Sequence, residues 1–211
     1  MQIAIIGSGN MGSAFARRVS AAGHDVTIAS KNVEHAKEAA RTIGARVRAM
    51  PLSDVAQAAE IIIAATPYDQ QVEALRPAGT LTGKTIIDIS NPLKPDMSGL
   101  AIGQTTSAAE EIAKALSGAK IVKAFNTIFA QVLNEGGDFG AGRRAAVFYA
   151  GDDEGAKQSV RTLIESMGFE ATDAGPLHNA RYLEPMGMLN IWFGYMAKRG
   201  TAIAPTWISR A

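Results

Sequence analysis

The stretch Gln2-Ile-Ala-Ile-Ile-Gly7-Ser8-Gly9-Asn10-Met11-Gly12 decides how this chain is read. A short β-rich apolar run feeds a complete G-x-G-x-x-G, and a helical pattern continues from it to about residue 22. In that setting the glycines have separate tasks. Gly7 permits a tight turn, Gly9 lets the backbone approach a pyrophosphate, and Gly12 lets the helix pack closely on the strand. A diphosphate would then lie on the free N–H groups at the start of the helix.

Working outward, β-like runs alternate with helical ones along the chain. Strands are expected at Gln2–Ile6, Asp25–Ala29, 46–49, 60–65, 85–89, 120–125, 145–150 and Glu170–Asp173. Runs such as 61–65 are apolar throughout, as strands buried on both faces should be. Asn32 and Ser53 are read as N-caps, and Ser107-Ala-Ala-Glu110 as a capping box opening a helix to about residue 116. Val160, Leu163, Ile164 and Met167 recur at helical spacing. Residues 93–105 and the glycine-rich 136–142 read as loops, and an aromatic helical segment is expected from 178 to about 199. The fold class is therefore α/β, a doubly wound parallel sheet of the Rossmann NAD(P)-binding type. One domain is expected over 1–211, with a C-terminal strand–helix extension over 170–211 that completes a second-substrate pocket and a dimer contact.

In such a sheet the ligand lies beyond the carboxyl ends of the strands. The second strand ends in Ala29-Ser30-Lys31-Asn32, with no carboxylate before Glu34. An NAD site places Asp or Glu there, whereas Ser30 and Lys31 suit the 2′-phosphate of NADP. Thr66-Pro67, Ser90-Asn91-Pro92 and Asn126-Thr127 end the fourth, fifth and sixth strands. Thr66, Pro67, Asn91, Pro92 and Asn126 are expected on the cofactor, with Thr127 and Ile128 towards a second substrate. The stripe Met186, Met188, Trp192, Phe193, Met196 reads either as core or as an apolar wall for a flat acceptor, to which Met188 and Trp192 would contribute. His24, His35 and His178 read as structural or solvated. No general acid or base stands out, and hydride transfer between two bound rings needs proximity rather than a base.

Composition narrows the classes further. The 211 residues contain no cysteine, which excludes disulfides, thiolate nucleophiles and cysteine metal sites. Twenty-one Lys and Arg against 20 Asp and Glu leave a formal charge of +1, which is no footprint for nucleic acid or a membrane surface. With only 3 scattered histidines no metal site is expected. The longest apolar runs fall far short of the roughly 20 residues that span a bilayer. Met1 leads straight into a strand-like run without a basic n-region, so a cytoplasmic protein is expected. The C-terminal segment carries apolar bulk on both faces through Trp192, Phe193, Tyr195 and Met196, so a homodimer through this helix is expected.

Nearly end to end, the chain resembles the reductases that exchange hydride between NADP and the deazaflavin coenzyme F420. The resemblance is carried by the glycine loop, Ala29-Ser-Lys31, Ser107-Ala-Ala-Glu-Glu-Ile, Lys123-Ala-Phe-Asn-Thr127, Gly151-Asp-Asp153 and Asp173-Ala-Gly-Pro-Leu177-His-Asn-Ala-Arg181. It implies that Ser8 to Met11 bind the diphosphate and that Ser30 and Lys31 bind the 2′-phosphate. It also implies that Thr66, Pro67, Asn91, Asn126, Thr127 and Ile128 line the nicotinamide and the deazaflavin. Archaeal members usually carry His-Thr where this chain has Asn126-Thr127. Lys123-Ala-Phe-Asn126 is also similar to the NADPH-oxidising domain of six-transmembrane metalloreductases, which keeps a flavin (FMN or FAD) or ferric acceptor as the alternative. Pyrroline-5-carboxylate reductases share the opening but continue into a long helical domain, for which too few residues remain. A non-catalytic NADP sensor is compatible with the same fold.

Overall fold

The computed structural model describes residues 1–211 except 45, 209 and 211. All eight expected strands form: β1 Gln2–Ile6, β2 Asp25–Ala29, β3 Val47–Ala49, β4 Ile61–Ala64, β5 Thr85–Asp88, β6 Lys120–Ala124, β7 Ala146–Gly151 and β8 Glu170–Asp173. They make one sheet in the order β3-β2-β1-β4-β5-β6-β7-β8. The order reverses beside β1, which places the switch point, and with it the ligand crevice, at the end of β1.

Alternation along β1 explains why both faces are covered. Ile3 and Ile5 face one core, with Phe15 and Val19 of α1 (Asn10–Ala21), Ala36 of α2 (Val33–Ile43) and Val160 and Leu163 of α7 (Glu154–Ser166). Ala4 and Ile6 face the other, with Val55 of α3 (Val55–Ala58), Leu75 of α4 (Tyr68–Leu75) and Ile112 of α5 (Ala108–Ala115). The sixth helix, α6 (Ala130–Glu135), joins the first layer through Val132 and Leu133.

The structure corrects the sequence reading in four places. β7 runs antiparallel to β6, so the sheet is mostly rather than wholly parallel. The cause lies in the glycine-rich segment before it. Asp138 and Arg144 form an antiparallel bridge there, and the Ala145 N–H donates to the Gly137 carbonyl at 2.8 Å. The chain doubles back and enters β7 at the end β6 has just left. Ser53 is not an N-cap: it lies in a short 3₁₀ turn, Leu52–Asp54, and its hydroxyl donates to the Asp54 carboxylate. At α5 only half of the capping box forms. Ser107 accepts the Glu110 N–H at 3.2 Å, while the Glu110 carboxylate turns outward to Arg181 at 2.6 and 2.8 Å. Finally, the long C-terminal helix is three pieces: a 3₁₀ turn Leu177–Asn179, α8 Ala180–Ile191 and a π-helical turn Trp192–Met196. The π turn sits where Gly194 presses on Phe129, a Cβ there lying 2.7 Å from the ring, and where Tyr195 meets Phe129 edge-on at 5.7 Å.

Because β8 is parallel to β7, it ends at the far end of the sheet from the crevice. The chain then climbs past α5, and α8 follows the strand ends from Leu183, bonded to Asn126 in its first turn, to Ile191 in the crevice wall.

Candidate active site

The glycine loop has the geometry its sequence predicts. Gly7 sits at φ +119°, and a Cβ there would lie 2.4 Å from the Ala65 carbonyl oxygen, so only glycine makes the turn from β1 towards α1 beside the end of β4. At Gly12 a Cβ would lie 1.9 Å from the Gly7 oxygen, which is the close packing of α1 on its own strand. At Gly9 nothing comes within 4 Å. The Gly7 N–H is spent on the Ala29 carbonyl at 2.8 Å, tying the loop to β2. Gly9 is the N-cap of α1 without a side-chain cap, and its first turn holds no acidic residue. The Ser13 N–H donates to the Gly9 carbonyl at 2.9 Å, so the amides of Asn10, Met11 and Gly12 precede the first intrahelical bond. Empty space over Gly9 and an uncapped helix N-terminus fit a diphosphate. Ser8 and Gly9 also open onto a groove of about 420 Å³ that includes Arg17 and His35, so His35 belongs to the rim of this region.

At the end of β2, Ser30 and Lys31 border a cavity of about 380 Å³ with Ile6, Gly7 and Thr66. Leu52, Gln70, Glu73, Ala74 and Pro77 complete it, and sequence reasoning did not find these five. Their mainly apolar surface with a carboxylate at the edge fits a purine. Lys31 is exposed and has no ion-pair partner among the described residues, since Glu34 pairs with Lys37 at 2.8 Å. The Ser30 hydroxyl donates to the Asn32 carbonyl, while Asn32 caps α2 by accepting the Glu34 N–H at 3.0 Å. To donate to a phosphate, Ser30 must rotate off Asn32.

Beyond β5 and β6 the structure brings Asn91, Asn126, Thr127 and Ile128 together around a crevice of about 310 Å³ that Asn10 and Met11 reach from the glycine loop. Asn91 and Asn126 form a reciprocal pair. Asn91 Nδ2 donates to the Asn126 carbonyl at 2.8 Å, and Asn126 Nδ2 donates to Asn91 Oδ1 at 2.9 Å. Phe125, fully buried, stands at φ +62°, a costly conformation for a bulky residue. Edge-on packing against Phe15 at 5.1 Å and Phe169 at 6.3 Å holds it there. The turn this forces sends the chain from β6 into the crevice. Ile89, Leu93, Met97, Phe129, Ile191 and Tyr195 give it an apolar lining, and no Asp, Glu, His or Lys of the described residues joins them. Five buried side-chain oxygens lack partners among the described residues, Thr66 Oγ1, Gln71 Oε1, Ser90 Oγ, Asn126 Oδ1 and Thr127 Oγ1, and the last two belong to residues that line the crevice. A ligand bringing an amide or hydroxyl groups would satisfy these two.

The other expected residues sit farther out. Pro67 is the N-cap of α4, and Pro92 is buried with its carbonyl accepting the Ala101 N–H at 2.6 Å. Met188 and Trp192 do not line the crevice, which meets Ile191 and Tyr195 instead; the Trp192 ring is half exposed and stacks edge-on with Phe193 at 5.6 Å. His24 bonds Ser166 at 2.8 Å, and burial holds its pKa below the usual histidine value; His178 is exposed. Tyr68, at the start of α4, has its hydroxyl pKa raised by burial and then by the nearby carboxylates of Glu111, Glu184 and Asp88. Among the described residues no group of His, Asp and Glu side chains could hold a metal ion, and no helix is long and apolar enough to cross a membrane.

Residues 2–92, which contain the glycine loop and the first five strands, match the family described as NADP oxidoreductase coenzyme F420-dependent. The F420-dependent NADP reductase of Methanothermobacter marburgensis is 30% identical over 207 residues, covering 90% of this chain and 91% of that one. The metalloreductase STEAP3 of Rattus norvegicus is 28% identical over 193 residues; the match spans 90% of this chain and 38% of that protein. A crystal structure from Arthrobacter sp. FB24, described as a candidate F420-dependent NADP-reductase, superposes with a TM-score of 0.86 at 31% identity over 100% of both chains. A reductive aminase from Aspergillus terreus shares the fold at a TM-score of 0.65 and 21% identity. With the loop, the strand ends and these relatives in agreement, the chain belongs to the coenzyme F420-dependent NADP oxidoreductase family and is an NADP-dependent oxidoreductase.

Proposed function

We propose that this protein transfers a hydride between NADP(H) and coenzyme F420 in the cytoplasm. The observation that carries the reading is the crevice beyond β5 and β6, an apolar slot lined by Asn126 and Thr127 with their orphaned oxygens and with no acid or base in its lining. Bound NADPH supplies the hydride. The chain's own part is to hold and exclude. The amides of Asn10, Met11 and Gly12, with Ser8, take the diphosphate, while Ser30 and Lys31 take the 2′-phosphate. Thr66, Asn91 and Asn126 hold the nicotinamide, and Thr127 and Ile128 face the acceptor. Ile89, Met97, Ile191 and Tyr195 keep water from the reacting carbons, which must approach to about 3–3.5 Å. The names of the relatives support F420 as acceptor. The similarity to a metalloreductase, together with Asn126, favours a flavin or ferric acceptor as the second reading.

The deciding experiment is NADPH oxidation with coenzyme F420, FMN, FAD and ferric chelate offered in parallel. Flavin or ferric turnover without F420 turnover would replace the first reading by the second. Binding of NADPH with turnover of none would make the protein a sensor. We also propose a homodimer through the C-terminal segment, where Tyr182, Leu189, Trp192, Tyr195 and Met196 leave apolar surface exposed. A monomer mass in light scattering at micromolar concentration would overturn this.

A further inference from the structure

We infer that Lys123 and Glu184 are positioning residues that set the height of α8 over the strand ends, and with it the separation of cofactor ring and acceptor in the crevice. The inference rests on the hydride-transfer reading above. Lys123 is in register with Asp88 of β5, and the side chains of Asp88, Lys123 and Glu184 are all buried. Every proton of the ammonium is used. It donates to Asp88 Oδ2 at 2.8 Å, to Glu184 Oε1 at 2.9 Å and to the Ser90 carbonyl at 2.6 Å. Asp88 Oδ1 accepts the Ser90 N–H at 2.9 Å. Glu184 accepts the N–H groups of Ala108 and Ala109, at the start of α5, at 3.0 and 3.2 Å. One cation against two carboxylates leaves negative charge in the interior, and the N-terminus of α5 offsets it.

Stability does not explain such a cluster. Buried ion pairs can often be replaced by apolar residues of similar volume at no loss. What the cluster supplies is geometry. A single ammonium holds β5 through Asp88, the turn leading to Asn91 through the Ser90 carbonyl, and α8 through Glu184. The same face of α8 then meets the site step by step. The Leu183 carbonyl accepts from Asn126 Nδ2 at 2.7 Å, and Asn190 Nδ2 donates to the Thr127 carbonyl at 3.0 Å. Between them, Gly187 is so close to the amide pair that a Cβ would lie 2.4 Å from Asn91 Oδ1. Ile191, about two turns above Glu184, is already crevice wall. The helix is thus pinned at its middle by charge and read out at its end as the position of the wall.

The test is Glu184→Gln, which keeps the side chain's size, removes its charge and leaves one of its hydrogen bonds facing a like donor. NADPH affinity, set at the glycine loop, should stay at the wild-type value. Turnover should fall by about 100-fold per ångström of displacement. The isotope effect with 4-deuterated NADPH should rise, as the hydride step becomes limiting. Without any acceptor, the fluorescence lifetime of bound NADPH should shorten as its ring is held less firmly. Gly187→Ala, which lifts the same helix off the same pair, should give the same changes and decides the matter if Glu184→Gln does not fold. Mere loss of folded protein lowers turnover in proportion and leaves isotope effect and lifetime unmoved. That result, or wild-type values throughout, overturns the proposal. Wild-type protein that binds NADPH and reduces no acceptor removes the hydride-transfer reading instead, while the lifetimes still report whether Glu184 positions the ring.

Discussion

Adding one methyl group at Gly9, and separately at Gly12, should part cofactor binding from folding. At Gly9 the backbone φ of −74° is ordinary for any residue, and nothing lies within 4 Å of a new Cβ. Alanine there restricts the unfolded chain at no cost to the folded one, a gain of about 0.4–1 kcal/mol. For a chain of this size that raises the melting temperature by about 1–4 °C. The same methyl group fills the space a phosphate oxygen would occupy over the start of α1. Losing one charge-assisted hydrogen bond of about 1.5–3 kcal/mol weakens NADPH binding by roughly 10- to 150-fold. At Gly12 the new Cβ would lie 1.9 Å from the Gly7 oxygen, whereas ordinary contact begins at 3.4 Å, so helix and strand must move apart to make up the difference. Overpacking of that kind costs about 1–3 kcal/mol or more. Melting curves and fluorescence titration with NADPH, run on both variants, check the pair. A Gly9→Ala protein that binds NADPH as tightly as wild type would refute the reasoning, because the open space over Gly9 would not be where the diphosphate lies.

Lys31→Asp should collapse or invert a preference for NADPH over NADH of roughly 10- to 100-fold, and added salt should weaken NADPH binding more than NADH binding; kcat/KM ratios for the two cofactors measure it, and an unmoved ratio makes Lys31 a surface lysine. Thr127→Trp should block the acceptor while leaving NADPH affinity unchanged; normal turnover would remove Thr127 from the acceptor side. Hydrogen bonds from Arg181, then from Ser107, hold the Glu110 carboxyl below its ordinary value of 4.5 despite partial burial. The stability this gives is fully present above 4.5 and is lost as pH falls through the depressed folded value. The partners are partly exposed, so the contribution is only about 0.5–1 kcal/mol. In melting curves Arg181→Ala should therefore lower stability at neutral pH and flatten its decline below about pH 4.5; an equal acid decline in both proteins would contradict this.

The strands were legible because each is a short apolar run bounded by turn residues. Their directions were not: residue alternation is the same whichever way a strand runs, and β7 owes its reversal to a bridge between Asp138 and Arg144. α4 escaped notice because Asp69-Gln70-Gln71 breaks its apolar pattern, and α6 because it has only 6 residues. The glycine loop could be read because three backbone constraints fall within one turn of sequence. The same economy does not extend to the crevice. The positive φ at Phe125 depends on Phe15 and Phe169, remote in sequence, and Glu184 finds Lys123 only once α8 has been laid beside β6. Periodicity also cannot distinguish a π-helical turn from an α-helical one, so Trp192 was expected where Tyr195 stands.

The late arrival of α8 at the crevice has a consequence for the order in which the protein comes into being. The matched nucleotide half ends at residue 92 and the crevice wall arrives with Ile191, about 100 residues later. At a synthesis rate of about 5–20 residues per second, the two are separated by roughly 5–20 s on the ribosome. A nascent chain that has not yet reached residue 180 carries the glycine loop and the crevice residues up to Ala130, but lacks the side that Asn190, Ile191 and Tyr195 close. Closure of the crevice therefore waits until α8 has been made, and a chain cut before it would keep the glycine loop beside an open slot.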